Sequence, residues 1–147
     1  MDDQFSAIEA LVDRAYAVIS GPAGTARKWD EMRAMYLPGA TMTAIRPTGT
    51  EICTVEEYIA GKRDFLTDNG FSETTLTNRI EIYGNIAHAW SSYSGGWTEP
   101  DGSVGGTRGI NSFQLRRDES GTWRIHCLLW QVETPEFPLP ADMEAQE

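Results

Sequence analysis

Apolar positions in the first twenty residues recur every three or four places. Phe5, Ile8, Val12, Tyr16 and Ile19 fall on one stripe, which predicts an amphipathic helix over residues 2–19. Asp2 and Asp3 suit the positive end of its dipole, and Gly21-Pro22 stops it. Trp29, Met32 and Tyr36 share a face and predict a short second helix over residues 25–36, ended by Pro38-Gly39. Residues 40–45 are partly β-branched and predict a strand closed by Pro47 and Gly49. Thr54-Val-Glu-Glu57 has the form of a capping box, in which each side chain accepts from the other residue's backbone N–H. It predicts a third helix to about residue 67, with Val55, Ile59 and Phe65 or Leu66 facing inward.

From Phe71 onward the period changes from helical to alternating. Strands are predicted at 74–83, 86–93, 107–117 and 122–132. Gly84-Asn85 joins the first two as a primed hairpin turn, and Asp118-Glu-Ser-Gly121 joins the last two. Residues 95–106 hold five glycines and a proline, which predicts a long flexible connection. Helices first and a meander second make an α+β domain: three N-terminal helices packed on a curved, mainly antiparallel sheet that encloses a cone-shaped space. The domain spans residues 1–133. Pro135, Pro138 and Pro140 break all periodicity in the remaining tail, 134–147, which is expected to be extended or disordered.

Charge sharpens this picture. The formal net charge is −10, and the segment 133–147 carries five acids and no base, so half the excess sits at the C-terminal end. Phosphate backbones repel such a chain, which argues against a nucleic-acid partner. No apolar run approaches the roughly 20 residues of a membrane span, and no basic segment precedes an apolar one at the start, so neither membrane nor secretion is expected. Cys53 and Cys127 are too few for a disulfide scaffold and fit a reduced cytoplasmic setting. His88 and His126 show no metal-ligand spacing, and no dinucleotide or phosphate-binding glycine motif is present; no metal and no cofactor are expected.

The helix–strand–helix order and the final meander resemble the cone-shaped fold of nuclear transport factor 2 and its SnoaL-like, ketosteroid isomerase and scytalone dehydratase relatives. Gly84-Asn-Ile-Ala-His-Ala-Trp90, Thr107-Arg-Gly-Ile-Asn-Ser-Phe-Gln-Leu115 and the segment from Gly121-Thr-Trp-Arg-Ile to Trp130 resemble a bacterial branch of that superfamily. The likeness covers about residues 5–133. It implies a small-molecule pocket, and isomerase, dehydratase, cyclase, hydrolase or purely binding roles, since a fold hosts many functions. It also implies a homodimer through the outer sheet face. Asn111 takes the place of the acidic hydrogen-bond donor of the isomerases, as an asparagine does in scytalone dehydratase. Ala44 stands where the isomerases keep their general base, and alanine moves no proton. The dehydratase's strand histidine would fall near Ala89. Tyr16 is nearest in position to the isomerases' oxyanion-hole tyrosine.

Strand alternation sorts the faces. Asn111, Phe113 and Leu115 share one, and His126, Leu128 and Trp130 share another; the resemblance turns both sets toward the helices. Ala87, Ala89, Ser91 and Tyr93 are expected inward, with His88, Trp90 and Ser92 outward. His126 is then the expected proton-transfer group, its ordinary pKa lying near neutrality, with Asn111 and Tyr16 holding a developing oxyanion. Trp29, Tyr93, Phe113, Leu128 and Trp130 are the expected walls for a flat, apolar, oxygenated molecule, or else simply fill the cone as core. Arg108 is either a solvated strand-end charge or an anchor for a substrate carboxylate. Catalysis and simple binding both remain open at this point.

Overall fold

The computed structural model describes residues 3–145. Helix α1 (Asp3–Ala17) and helix α2 (Trp29–Met35) come first. Strand β1 (Tyr36–Arg46), strand β2 (Gly49–Thr54) and helix α3 (Val55–Asp68) follow. Strands β3 (Gly70–Tyr83), β4 (Ile86–Thr98), β5 (Val104–Arg117) and β6 (Trp123–Val132) complete the sheet. The six strands lie in the order β2-β1-β6-β5-β4-β3. Only the β1–β6 pairing is parallel; the others are antiparallel. The fold is α+β, with a curved, open, mostly antiparallel sheet.

The capping box forms as the sequence predicts. The Glu57 N–H donates to Thr54 Oγ1 at 3.1 Å, and the Thr54 N–H donates to Glu57 Oε1 at 2.9 Å. Along α1, Ile8, Leu11, Val12 and Tyr16 are buried, while Phe5 is left exposed. They pack with Phe113, Leu115 and Ile125 of the sheet, so one helical stripe and one strand face make the core. Among the described residues no helix is long and apolar enough to cross a membrane.

Four expectations need correction. The segment 49–54, to which the sequence pattern assigned no element, is an edge strand on β1, its residues Thr50 and Ile52 pairing with Ile45 and Thr43. The second helix begins only at Trp29, because the guanidinium of Arg27 organises the preceding loop. It is buried, and it donates to the carbonyls of Ile19, Gly21, Thr25 and Asn69 at 2.6–3.3 Å. The glycine-rich connection is sheet rather than flexible loop. β4 runs on to Thr98 and β5 starts at Val104, leaving only a tight turn closed by the Glu99 N–H to Ser103 carbonyl bond at 2.8 Å. Gly105 of this stretch and Gly109 further along β5 make room for aromatic rings. A Cβ at Gly105 would fall inside the Trp97 indole, and one at Gly109 would come within 2.6 Å of the Tyr93 hydroxyl.

The fourth correction is the tail. Through residue 145 it is laid over the outer sheet face rather than left loose. Arg108 grips Glu133 (2.8 and 2.9 Å) and Glu144 (2.7 and 3.0 Å). Arg79 pairs with Asp142, and Met143 is wholly buried in a short 3₁₀ turn, Ala141–Met143. Ser92 does point outward, but it is covered: its hydroxyl donates to the Met143 carbonyl at 2.6 Å.

Candidate functional site

Between α1, α3 and the inner face of the sheet lies a cavity of about 380 Å³. That is enough for a small bicyclic molecule. Its walls are mostly aromatic and aliphatic. Tyr93, Phe113, Leu128 and Trp130, all expected as walls, line it. Tyr36, Tyr58 and Met42 join them from β1 and α3. Tyr58 and Trp130 meet edge to face at 6.4 Å between ring centres.

Tyr16 and Asn111 come together as expected. The Asn111 Nδ2 donates to the Tyr16 hydroxyl at 3.0 Å, and that hydroxyl lies 2.7 Å from Ser91 Oγ. A phenol that accepts from Asn111 has its own proton left to donate toward Ser91. Burial raises the Tyr16 pKa far above its ordinary value, so the proton stays on. The trio is a hydrogen-bonded chain of which Tyr16 and Asn111 line the cavity, with Tyr16 edge-on to Phe113 at 6.3 Å.

His126 is not in this site. The β5–β6 register slips by one between Gln114↔Cys127 and Leu115↔Ile125, so His126 is the extra residue of a β-bulge. A bulge breaks the two-residue alternation that placed His126 beside Leu128. Ile125 and Leu128, three apart, are buried instead, and His126 is exposed. Trp29 is also off the cavity. It is the first residue of α2, packed at the edge of the core one turn from Met32, with its indole N–H buried and unpaired. His88 lies outside too, with Nε2 3.0 Å from Ser112 Oγ and its ring against Trp90. Arg108 is taken up by its two glutamates.

The acid of the site is Glu73, which sequence reasoning missed. Among the described residues it is the one carboxyl group lining the cavity. Its backbone N–H donates to Ser20 Oγ, and Ser20 Oγ donates to the Tyr16 carbonyl, which pins β3 to the end of α1. The Glu73 side chain is half-buried and lines the cavity. Desolvation pushes its pKa up to about 7, so both protonation states are populated at neutral pH. Its charge in turn helps push up the hydroxyls of Tyr16, Tyr36, Tyr58 and Tyr93, behind the larger effect of their own burial. The available signal was an acid at the second position from Phe71, on the face that then carries Thr75.

The cavity also holds two cations, Arg46 and Lys62. Among the described residues no group of three or more His, Cys, Asp or Glu side chains is placed to hold a metal ion. The arrangement offers proton transfer by a carboxyl group near its midpoint, hydrogen bonds from phenols and an amide, and apolar contact.

No family model and no curated protein sequence matches the chain. Solved structures do. A nuclear transport factor 2-like superfamily protein from Salmonella enterica is 18% identical, with a TM-score of 0.67 over 92% of each chain. A ketosteroid isomerase-like protein from Erwinia carotovora is 15% identical, with a TM-score of 0.64 over 92% of this chain and 100% of that one. A protein from Exiguobacterium sibiricum described as a candidate calcium/calmodulin-dependent kinase II association domain is 12% identical, with a TM-score of 0.71 over 92% and 97%. The order of helices and strands, the single parallel strand pair and these superpositions agree: the chain has the nuclear transport factor 2-like fold.

Proposed function

We propose that the cavity binds a small apolar oxygenated molecule and carries out cofactor-independent proton-transfer chemistry on it, of the isomerase or lyase kind. Isomerisation, dehydration, cyclisation and hydrolysis all fall within that chemistry. The observation that carries the reading is Glu73, a lone carboxyl in an aromatic-walled cavity with a pKa near 7. A general base or acid works best when its pKa lies near the working pH. Glu73 takes the role that sequence reasoning gave to His126. It also supplies, from β3, the carboxyl that Ala44 on β1 cannot. Asn111, whose Nδ2 has a second N–H, and Tyr16, whose hydroxyl proton would turn from Ser91 to the ligand, remain the candidates for holding a developing oxyanion, and Tyr93, Phe113, Leu128 and Trp130 for the walls. The two free thiols fit a reduced, cytoplasmic setting.

The test uses tetralone, a flat bicyclic ketone with exchangeable α-hydrogens, in heavy water. Wild-type protein should speed α-hydrogen exchange, followed by NMR, above the buffer rate. Glu73→Gln should lose about 100-fold or more of that acceleration. The base form is the ionised carboxyl, so the rate should rise with pH and level off above about 7.

A second reading is a non-catalytic, dimeric binding or association module. It is favoured by the outer sheet face, where Trp90 (37% exposed) and Leu129 (43% exposed) stand beside a groove bounded by Phe137 and Leu139 of the tail. Binding of tetralone without exchange, in wild type and Glu73→Gln alike, selects that reading.

A further inference from the structure

The cations at the cavity are unevenly compensated. Arg46, at the end of β1, lies 5.9 Å over the Trp130 ring and is 3.3 Å from Glu51, so it already has a carboxylate. Lys62, on α3, is half-buried, and among the described residues no carboxylate comes within ion-pair distance of its ammonium. With Arg46 matched by Glu51, the half-buried Lys62 is the cation of the cavity wall left without an ion pair among the described residues, in a chain whose formal charge is −10. Half-burial is costly for a lone ammonium unless an anion joins it.

Neither Arg46 nor Lys62 acts on the Glu73 carboxyl, whose shift comes from desolvation alone, so the cations and the acid occupy separate parts of the wall. Tyr58 and Tyr93 line the same cavity, and their hydroxyls feel both the Glu73 and the Arg46 charge. Tyr58 and Trp130 add flat aromatic wall. Such a space fits a flat body with an anion at one end and an oxygen function at the other. Arg108, the cation that sequence reasoning offered for a carboxylate, is saturated by Glu133 and Glu144 on the opposite face. Lys62 is not so engaged.

Resting on the reading of this cavity as a ligand site, we propose that its ligand is a flat organic acid. Its carboxylate docks between Lys62 and Arg46, and its far end reaches Glu73. A charge-assisted bond from Lys62 supplies orientation as well as affinity, so that the reacting end meets Glu73 and not the anion.

The experiment is a calorimetric titration with two probes of the same shape, naphthoate and the neutral naphthyl methyl ketone. Against wild type, naphthoate should bind about tenfold more tightly. Lys62→Met should abolish that preference by weakening naphthoate alone, and Lys62→Arg should restore it. Thermal unfolding of each variant establishes that it is folded. A ketone that binds as well as naphthoate, or a preference that survives in folded Lys62→Met, overturns the acid while leaving the cavity a ligand site. Failure of both probes to bind overturns the acid and the ligand site together.

Discussion

Glu73 has no cation beside it, and desolvation alone accounts for its raised pKa. The consequence for stability has a definite sign. Its pKa is about 7 in the folded chain and near 4.5 in the unfolded one, so between those values the folded state holds more proton. Stability should therefore fall as pH rises from 4.5 to 7 and carry the full cost above 7. Glu73→Gln should remove that slope and gain about 1–3 kcal/mol at pH 8, measured by urea unfolding across the range. At neutral pH the ionised carboxyl therefore works against the fold. Much of the surrounding wall was legible from periodicity together with the family resemblance: Tyr16 on a helical stripe, and Tyr93, Asn111 and Phe113 on strand faces that the resemblance turned inward. Glu73 was not, because the strand was expected to begin one residue later, at Thr74. His126 was misplaced because nothing in the Ile125–Cys127 segment announces a bulge. An extra strand residue is a property of pairing with β5 and β1, not of the segment itself.

At the scale of elements, glycine was the misleading signal. Five glycines between residues 95 and 106 predicted flexibility, but Gly95, Gly96, Gly105 and Gly106 are paired in β4 and β5, from Gly95↔Thr107 to Thr98↔Val104, and Gly102 sits in the turn. Their use is flatness. Trp97 lies across Gly105 and meets Phe65 of α3 edge-on at 6.0 Å, which ties this end of the hairpin to the helix over the cavity. Gly105→Val should therefore displace the Trp97 ring, destabilise the protein by about 1–3 kcal/mol in urea, and shift the indole emission to the red. The edge strand β2 escaped notice for a related reason. It is short and largely exposed, with little hydrophobic alternation to reveal it. The capping box of α3 was legible because it is a purely local device, complete within Thr54–Glu57.

For the whole molecule, the sheet divides two tasks. Its inner face and α1 and α3 enclose the cavity, and its outer face carries the tail, held by Arg108, Arg79 and the buried Met143. The acidic tail and the cationic wall are thus on opposite sides, and a charge count over the whole chain hides both. That count, −10, also treats Glu73 as ionised. With its midpoint near neutrality, the protein's charge at pH 7 depends on what the cavity contains. An organic anion entering the same poorly solvated space favours the protonated carboxyl. Ligand and proton are then taken up together, a coupling that runs both ways. The heat of naphthoate binding at pH 7 should accordingly differ between phosphate and Tris, in proportion to the buffers' own ionisation heats. In Glu73→Gln the part of that difference owed to this carboxyl should vanish. Acid conditions would load the cavity with such a ligand, and alkaline conditions would release it.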